Sequence, residues 1–189
     1  MPLDERMDYF KLFGLERKFN IEITDLSNTF KSLQRNLHPD KVSVRNIPED
    51  FVKQVLFQFV SATQQNKTGS ETWSAAVNQG YKVLQKPLSR ALYLLELSGH
   101  PLSEESITLE PDFLMEIMEL NEEVADANEN EVRILEEKIK DTLADFILTV
   151  DILLTNDEYE RAREEVARMK YYSNVLDKIY EKLSDFGLY

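Results

Sequence analysis

A long apolar pattern runs through NEVRILEEKIKDTLADFILTVDILLT, residues 130–155. Its apolar side chains recur at helical spacing and share one face, which consists of Val132, Leu135, Ile139, Phe146, Val150 and Leu153. Helical patterns over 112–127 and 157–185 flank it, with turns at 128–130 and 155–157. Because long helices joined by short turns pack as antiparallel neighbours, these three segments predict a three-helix bundle.

The first half of the chain also has helical patterns, and alternating strand patterns are missing. We predict helices over 8–15, 25–37, 72–85 and 87–97. Thr24 is the expected N-cap of the second helix and Pro39 its stop, while Pro87 opens the fourth. The apolar positions that support the second and third helices are Leu26, Phe30, Leu33, Leu37, Trp73, Val77, Tyr81 and Leu84. The expected fold class is therefore all-α.

Composition excludes several classes of site. The 189 residues include no cysteine and two histidines, His38 and His100. Disulfides, thiolate zinc sites and cysteine nucleophiles are excluded, and so is a multi-histidine metal site. The net charge of −13 argues against a general nucleic-acid binder.

Charge divides the chain into two parts. Residues 1–109 carry 13 acidic and 13 basic side chains, whereas residues 110–189 carry 22 acidic and 9 basic ones. Glycine, proline and serine interrupt the helical patterns between Ser98 and Pro111. We therefore expect one domain over 1–97, a linker over 98–111 and a second domain over 112–189. The acidic second half is either a solvated face or a surface that steers a basic partner.

The chain shows neither a membrane-spanning run nor an evident targeting segment. No apolar stretch approaches the roughly 20 residues that a membrane helix needs. The first residues lack the apolar core of a signal peptide and the arginine- and serine-rich character of a transit peptide. A cytosolic protein and a mature or incomplete form both fit this pattern.

A rigid polar triplet, His38-Pro39-Asp40, follows the 25–37 helix. Lys31 and Arg35 are four residues apart on that helix and so share one side, and Lys41 follows the triplet. One interpretation is a helix-ending turn with a solvated histidine. The other is a docking loop flanked by cations.

On a helical wheel with about 100° of rotation per residue, the 113–126 helix has two faces that carry apolar side chains. Phe113, Ile117, Leu120 and Val124 form a core stripe. The opposite side mixes large apolar groups with carboxylates, namely Leu114, Met115, Met118, Glu119, Glu122 and Asp126. Either another helix covers this side, or it is a partner-binding patch to which methionines contribute adaptable contacts. Tyr171 is either an ordinary exposed tyrosine or an extension of the patch.

Several of these segments resemble a J-domain: YFKLFGL at 9–15, the basic second helix, His-Pro-Asp, and VNQGYKVL at 77–84. The resemblance implies docking on a DnaK-type (Hsp70) chaperone and stimulation of its ATP hydrolysis. His38, Pro39 and Asp40 would act as the trigger, and Lys31, Arg35 and Lys41 would supply electrostatic docking. The chain itself would then have no catalytic site and would not be an enzyme.

Further segments resemble the HscB (Jac-type) iron–sulfur cluster co-chaperones: PLSRALYLL at 87–95, DFLMEIMELNE at 112–122 and RMKYYSN at 168–174. This resemblance implies an L-shaped molecule whose C-terminal bundle binds the iron–sulfur scaffold protein and delivers it to the chaperone for cluster transfer. The residues matching the family's scaffold-binding positions are Leu114, Met115, Met118, Glu119, Glu122, Asp126 and Tyr171. A eukaryotic member would act in the mitochondrial matrix and a bacterial one in the cytoplasm.

Two departures from the family and two rival functions accompany this interpretation. The cysteine-rich zinc segment of some animal members is missing, so we expect no metal and no cofactor. Residues 55–69 have no recognised counterpart and are either a lineage insertion or a translated intron.

The first rival function is that of a J-domain protein for a different client. The second is an enzyme with paired carboxylates, for which no pocket signature exists.

Overall fold

The computed structural model describes residues 8–37, 67–103 and 109–187, without the side chains of 36–37 and 67–73. The described residues are helical and contain no strand, in agreement with the all-α prediction. The helices are α1 (Tyr9–Leu12), α2 (Ile23–Leu37), α3 (Lys67–Gln85), α4 (Pro87–Leu97), α5 (Pro111–Asp126), α6 (Glu129–Thr155) and α7 (Tyr159–Asp185). The chain divides into two compact units, residues 1–90 and 91–189. The division falls inside α4, and the separate linker over 98–111 stays a prediction.

The helix predicted over 8–15 spans only Tyr9–Leu12, and the starts of α2 and α3 also differ from the sequence prediction. Thr24 is not an N-cap, because α2 begins at Ile23 and the amides of Asp25 and Leu26 both donate to the carbonyl of Glu22, at 3.1 Å each. The third helix begins at Lys67 rather than at residue 72. Its first five residues are mostly polar, so apolar periodicity had no signal there. Most of the 55–69 segment lies outside the described residues.

In the first unit, α1 and α2 both pack on α3. The short α1 ends in a Schellman motif: Leu15 N–H donates to Phe10 O at 2.8 Å and Gly14 N–H to Lys11 O at 3.1 Å. This ending places Gly14 at φ 67°, where glycine carries no steric penalty. On α2, the Phe30 ring stacks on Tyr81 of α3 with centroids 4.0 Å apart. The unit is thus a helical hairpin of α2 and α3, with α1 packed on α3.

A close contact at Gly80 joins α1 to α3. A Cβ added at Gly80 would lie 2.9 Å from Cδ1 of Tyr9 and 3.0 Å from Cε2 of Phe13. These distances are shorter than ordinary carbon contacts. The absence of a side chain at position 80 therefore lets α1 approach α3.

The second unit is a three-helix bundle, as predicted. Contacts between α5 and α7 join residues 56 to 58 positions apart, so these two helices run parallel. Contacts between α6 and α7 pair Phe146 with Tyr172 and Lys140 with Tyr180, an antiparallel register. Asn128 caps α6 in a capping box with Glu131. The helices therefore run up, down and up.

The predicted core faces of α5 and α6 are confirmed, and that of α7 needs correction. Phe113 and Phe146 are half-buried, and the other predicted positions of α5 and α6 are buried. On α7, helical spacing in the sequence predicts one buried face consisting of Ala162, Val166, Met169, Ser173, Leu176 and Leu183. Of these, Ser173 and Leu176 are only half-buried, while Tyr172, Val175 and Ile179 are buried as well. Because α7 contacts both α5 and α6, its buried face is wider than a single stripe. None of the described helices is long and apolar enough to span a membrane.

Candidate functional site

The second face of α5 is exposed. Met115 and Met118 are 60% and 64% exposed and Leu114 is 37% exposed. Glu119, Glu122 and Asp126 are also exposed. Of the two interpretations left open by the sequence, burial under another helix does not hold within the described part of the chain. We call the exposed set, together with Tyr171, the α5 patch.

Tyr171 of α7 lies at the border of α5. Its ring meets Phe113 edge to face, with centroids 5.8 Å apart and an interplanar angle of 86°. The side chain remains 37% exposed. Lys178 lies seven residues after Tyr171 and bonds to Asn121, which lies seven residues after Leu114. The parallel register of α5 and α7 therefore places Tyr171 level with Leu114, in the apolar part of the α5 patch. This arrangement extends the patch across two helices.

Buried and polar contacts with α7 hold the start of α5. The Tyr172 hydroxyl donates to Oε1 of Glu116 at 2.5 Å. Burial raises the pKa of Tyr172 well above its ordinary range, and the hydrogen bond to Glu116 adds to that shift. The Arg168 guanidinium lies 5.9 Å from the centroid of Phe113. These contacts anchor one side of the helix and leave Met115 and Met118 free on the other.

Two lysines of α7 hold the end of α5. Lys178 Nζ donates to Oδ1 of Asn121 at 2.6 Å, and Lys182 Nζ donates to the carbonyl of Val124 at 2.8 Å and to that of Ala125. A cation at the last carbonyls of a helix satisfies acceptors that have no partner within the helix. Sequence reasoning missed both lysines, because no local signal pairs a lysine with a helix about 57 residues earlier.

The cations predicted for chaperone docking lie on α2. Lys31 and Arg35 are exposed and form no ion pair with a described residue. On the same helix, Ser27 approaches Tyr81 of α3 and Gln34 donates to Asn78 of α3 at 3.0 Å. His38, Pro39, Asp40 and Lys41 lie outside the described residues, so their relation to these cations stays a prediction.

Known proteins are similar in sequence to this chain over nearly its whole length. A family model described as the HSCB C-terminal oligomerisation domain matches residues 109–180. The iron-sulfur cluster co-chaperone protein HscB of Mus musculus is 33% identical over 180 residues, which are 94% of this chain and 70% of the mouse protein. The chain belongs to the HscB co-chaperone family.

Other members of the family support this assignment in sequence and in fold. The Homo sapiens protein of the same name is 35% identical over 178 residues, with 93% of this chain and 68% of the human protein covered. The crystal structure of human HscB matches with a TM-score of 0.77 at 35% identity, over 95% of this chain and 84% of that one. Vibrio cholerae HscB matches with a TM-score of 0.72 at 28% identity, over 97% and 100% of the two chains.

Proposed function

We propose that this protein is a J-domain co-chaperone of iron–sulfur cluster assembly. In this proposal it binds the iron–sulfur scaffold protein through the α5 patch and delivers the scaffold to a DnaK-type (Hsp70) chaperone. It then stimulates the ATPase of that chaperone, which promotes cluster transfer. The protein itself catalyses no reaction. The compartment would be the mitochondrial matrix in a eukaryote and the cytoplasm in a bacterium.

The exposed α5 patch in a chain of the HscB family is the observation that carries the proposal. Three large apolar side chains of α5 lie in solvent on a helix whose other side is already held by α7. Exposed apolar patches bordered by polar groups are typical of protein–protein interfaces. The mouse and human relatives are named iron-sulfur cluster co-chaperones, which supports the scaffold protein as the partner.

The chaperone side of the proposal depends on α2 and the triplet that follows it. Lys31 and Arg35 are exposed on α2 and available for a charged partner surface. The His-Pro-Asp triplet at 38–40 completes the trigger by resemblance to J-domains. The acidic and apolar α5 patch and the basic side of α2 differ in chemistry, and therefore suit two different partners.

The ATPase rate of a DnaK-type chaperone tests both sides together. The rate is measured with this protein, with the scaffold and with both. We expect both together to stimulate more than the sum of each alone, and Asp40→Ala to remove the stimulation. Stimulation that never depends on the scaffold would favour a J-domain co-chaperone for a different client. No stimulation by the wild-type protein would overturn the proposal.

A further inference from the structure

Lys178 is held in a defined position beside the α5 patch. Its Nζ donates to Oδ1 of Asn121 at 2.6 Å, while Nδ2 of Asn121 donates to the carbonyl of Ile117 at 2.6 Å. The second bond ties the amide nitrogen to its own helix, so the amide oxygen is the atom presented to α7. Asn121 therefore orients the ammonium group of Lys178 rather than neutralising it.

The charge of Lys178 is not compensated by a described carboxylate. Lys178 is exposed, and none of the described ion pairs includes it. An ammonium group has three N–H donors, and one of these is used on a neutral amide. Among the described contacts the remaining donors are available, in a protein whose net charge is −13.

The position of Asn121 places this cation at one edge of the α5 patch. On a helix with about 100° per residue, Asn121 lies within about 60° of both Leu114 and Met118. Glu119 and Asp126 lie about 80° to 100° from Met118 on the other side. The apolar centre of the patch thus has a cation on the α7 edge and carboxylates on the opposite edge.

We propose that Lys178 determines specificity by binding a carboxylate of the docked scaffold protein. This inference rests on the proposed function and adds one contact to it. A partner surface that matches the α5 patch then has an apolar centre, a basic side and an acidic side. Since opposite charges at the two edges match only one orientation, Lys178 selects how the partner docks as well as how strongly it binds.

Charge reversal at Lys178 tests the inference, with the purified scaffold protein as the probe in a binding titration. We expect Lys178→Glu to weaken binding at least tenfold, because like charges meet in the interface. Lys178→Met should weaken it about threefold, since an exposed ion pair contributes little. Lys170→Glu is the matched control: it reverses an exposed lysine of the same helix, about 100° from Tyr171, and should change affinity less than about twofold.

The outcomes separate this inference from the proposed function. Equal affinities for Lys178→Glu and Lys170→Glu would overturn the role of Lys178 alone, provided that replacing Leu114, Met118 and Tyr171 together with alanine still weakens binding. Failure of the wild-type protein to bind the scaffold would overturn both. Because Lys178 is exposed, we expect its variants to keep the helicity and the thermal unfolding of the wild type. That result would show that the weaker scaffold binding does not come from misfolding.

Discussion

The two units place their large apolar side chains differently. Among the described aromatic side chains of the first unit, Phe10 and Phe13 are buried, and Phe30 stacks on Tyr81 between α2 and α3. In the second unit, α5 has one side buried against α7 and leaves Met115 and Met118 in solvent on the other. A helix that is already anchored on one side can carry exposed apolar groups without relying on them for folding.

The two units also differ in how charge meets a neighbouring helix. On α2, Lys31 and Arg35 are exposed and form no ion pair with a described residue. On α7, Lys178 and Lys182 reach across to α5 and bond to it. Lys31 and Arg35 in the first unit are thus available for docking, whereas Lys182 in the second unit bonds to the last carbonyls of α5 and stabilises that helix end. The comparison implies that changes in the two units have separable effects.

The largest expected effects would come from disabling one docking surface at a time. Asp40→Ala should abolish ATPase stimulation and leave scaffold affinity unchanged.

Replacing Leu114, Met118 and Tyr171 together with alanine should weaken scaffold binding at least tenfold, since central apolar contacts at interfaces contribute roughly 1–3 kcal/mol each. Stimulation without scaffold should survive that change. Binding titrations and ATPase rates measure the two effects, and a variant of one unit that removed both activities would contradict their separation.

Gly80→Ala should destabilise the first unit. Alanine is the better helix former by up to about 1 kcal/mol, but its Cβ would meet Tyr9 at 2.9 Å and Phe13 at 3.0 Å. Overpacking of this kind costs roughly 1–3 kcal/mol, so we expect a net loss of about 1 kcal/mol in the free energy of unfolding. Denaturant unfolding measures it.

Ala75→Gly provides the control for the glycine at position 80. Residue 75 is exposed on the same helix, so this change reports helix propensity without a packing contact. It should cost up to about 1 kcal/mol. A higher free energy of unfolding in Gly80→Ala would contradict the prediction, because it would mean that α1 moves away from the new Cβ without an energetic cost.

Tyr172→Phe should cost the second unit about 1 kcal/mol, the net value of the hydrogen bond to Glu116. The effect depends on pH, because burial raises the pKa of Tyr172 in the folded protein. Above about pH 10 the unfolded state loses this proton first, so wild-type stability falls as the pH rises. The variant lacks this contribution and should fall less steeply.

Tyr171→Phe removes a hydroxyl from the neighbouring, exposed tyrosine and leaves the ring in place. Its free energy of unfolding should stay within about 0.5 kcal/mol of wild type. Equal pH profiles for wild type and Tyr172→Phe would contradict the assigned role of the Tyr172 hydroxyl.

The smallest expected difference is in salt dependence. Chaperone docking through Lys31, Arg35 and Lys41 should weaken with added salt, because exposed charges are screened within about 10 Å at 0.1 M. Scaffold binding should weaken less, since apolar contact dominates the α5 patch. Affinities measured across a salt series test this, and equal slopes for the two partners would count against the division.

Much of the fold and of the candidate site was accessible from local pattern. Helical periodicity located the helices of the described residues, and the wheel of 113–126 separated Ile117 and Leu120 from Met115 and Met118. The buried face of α7 was harder to predict from the sequence, because Tyr172, Val175 and Ile179 are buried on a helix that packs against both α5 and α6. Periodicity measures one stripe and cannot register a helix packed on two sides.

The sequence by itself determined the helices, the bundle and the apolar side of α5, because spacing along a helix dictates which side chains share a face. Only the tertiary structure decided that this side is uncovered by described residues, that Tyr171 borders it, and that Lys178 and Lys182 bond to α5. Those contacts join residues 56 to 58 positions apart. Local pattern carries no information about them, since they depend on the parallel register in which α5 and α7 pack.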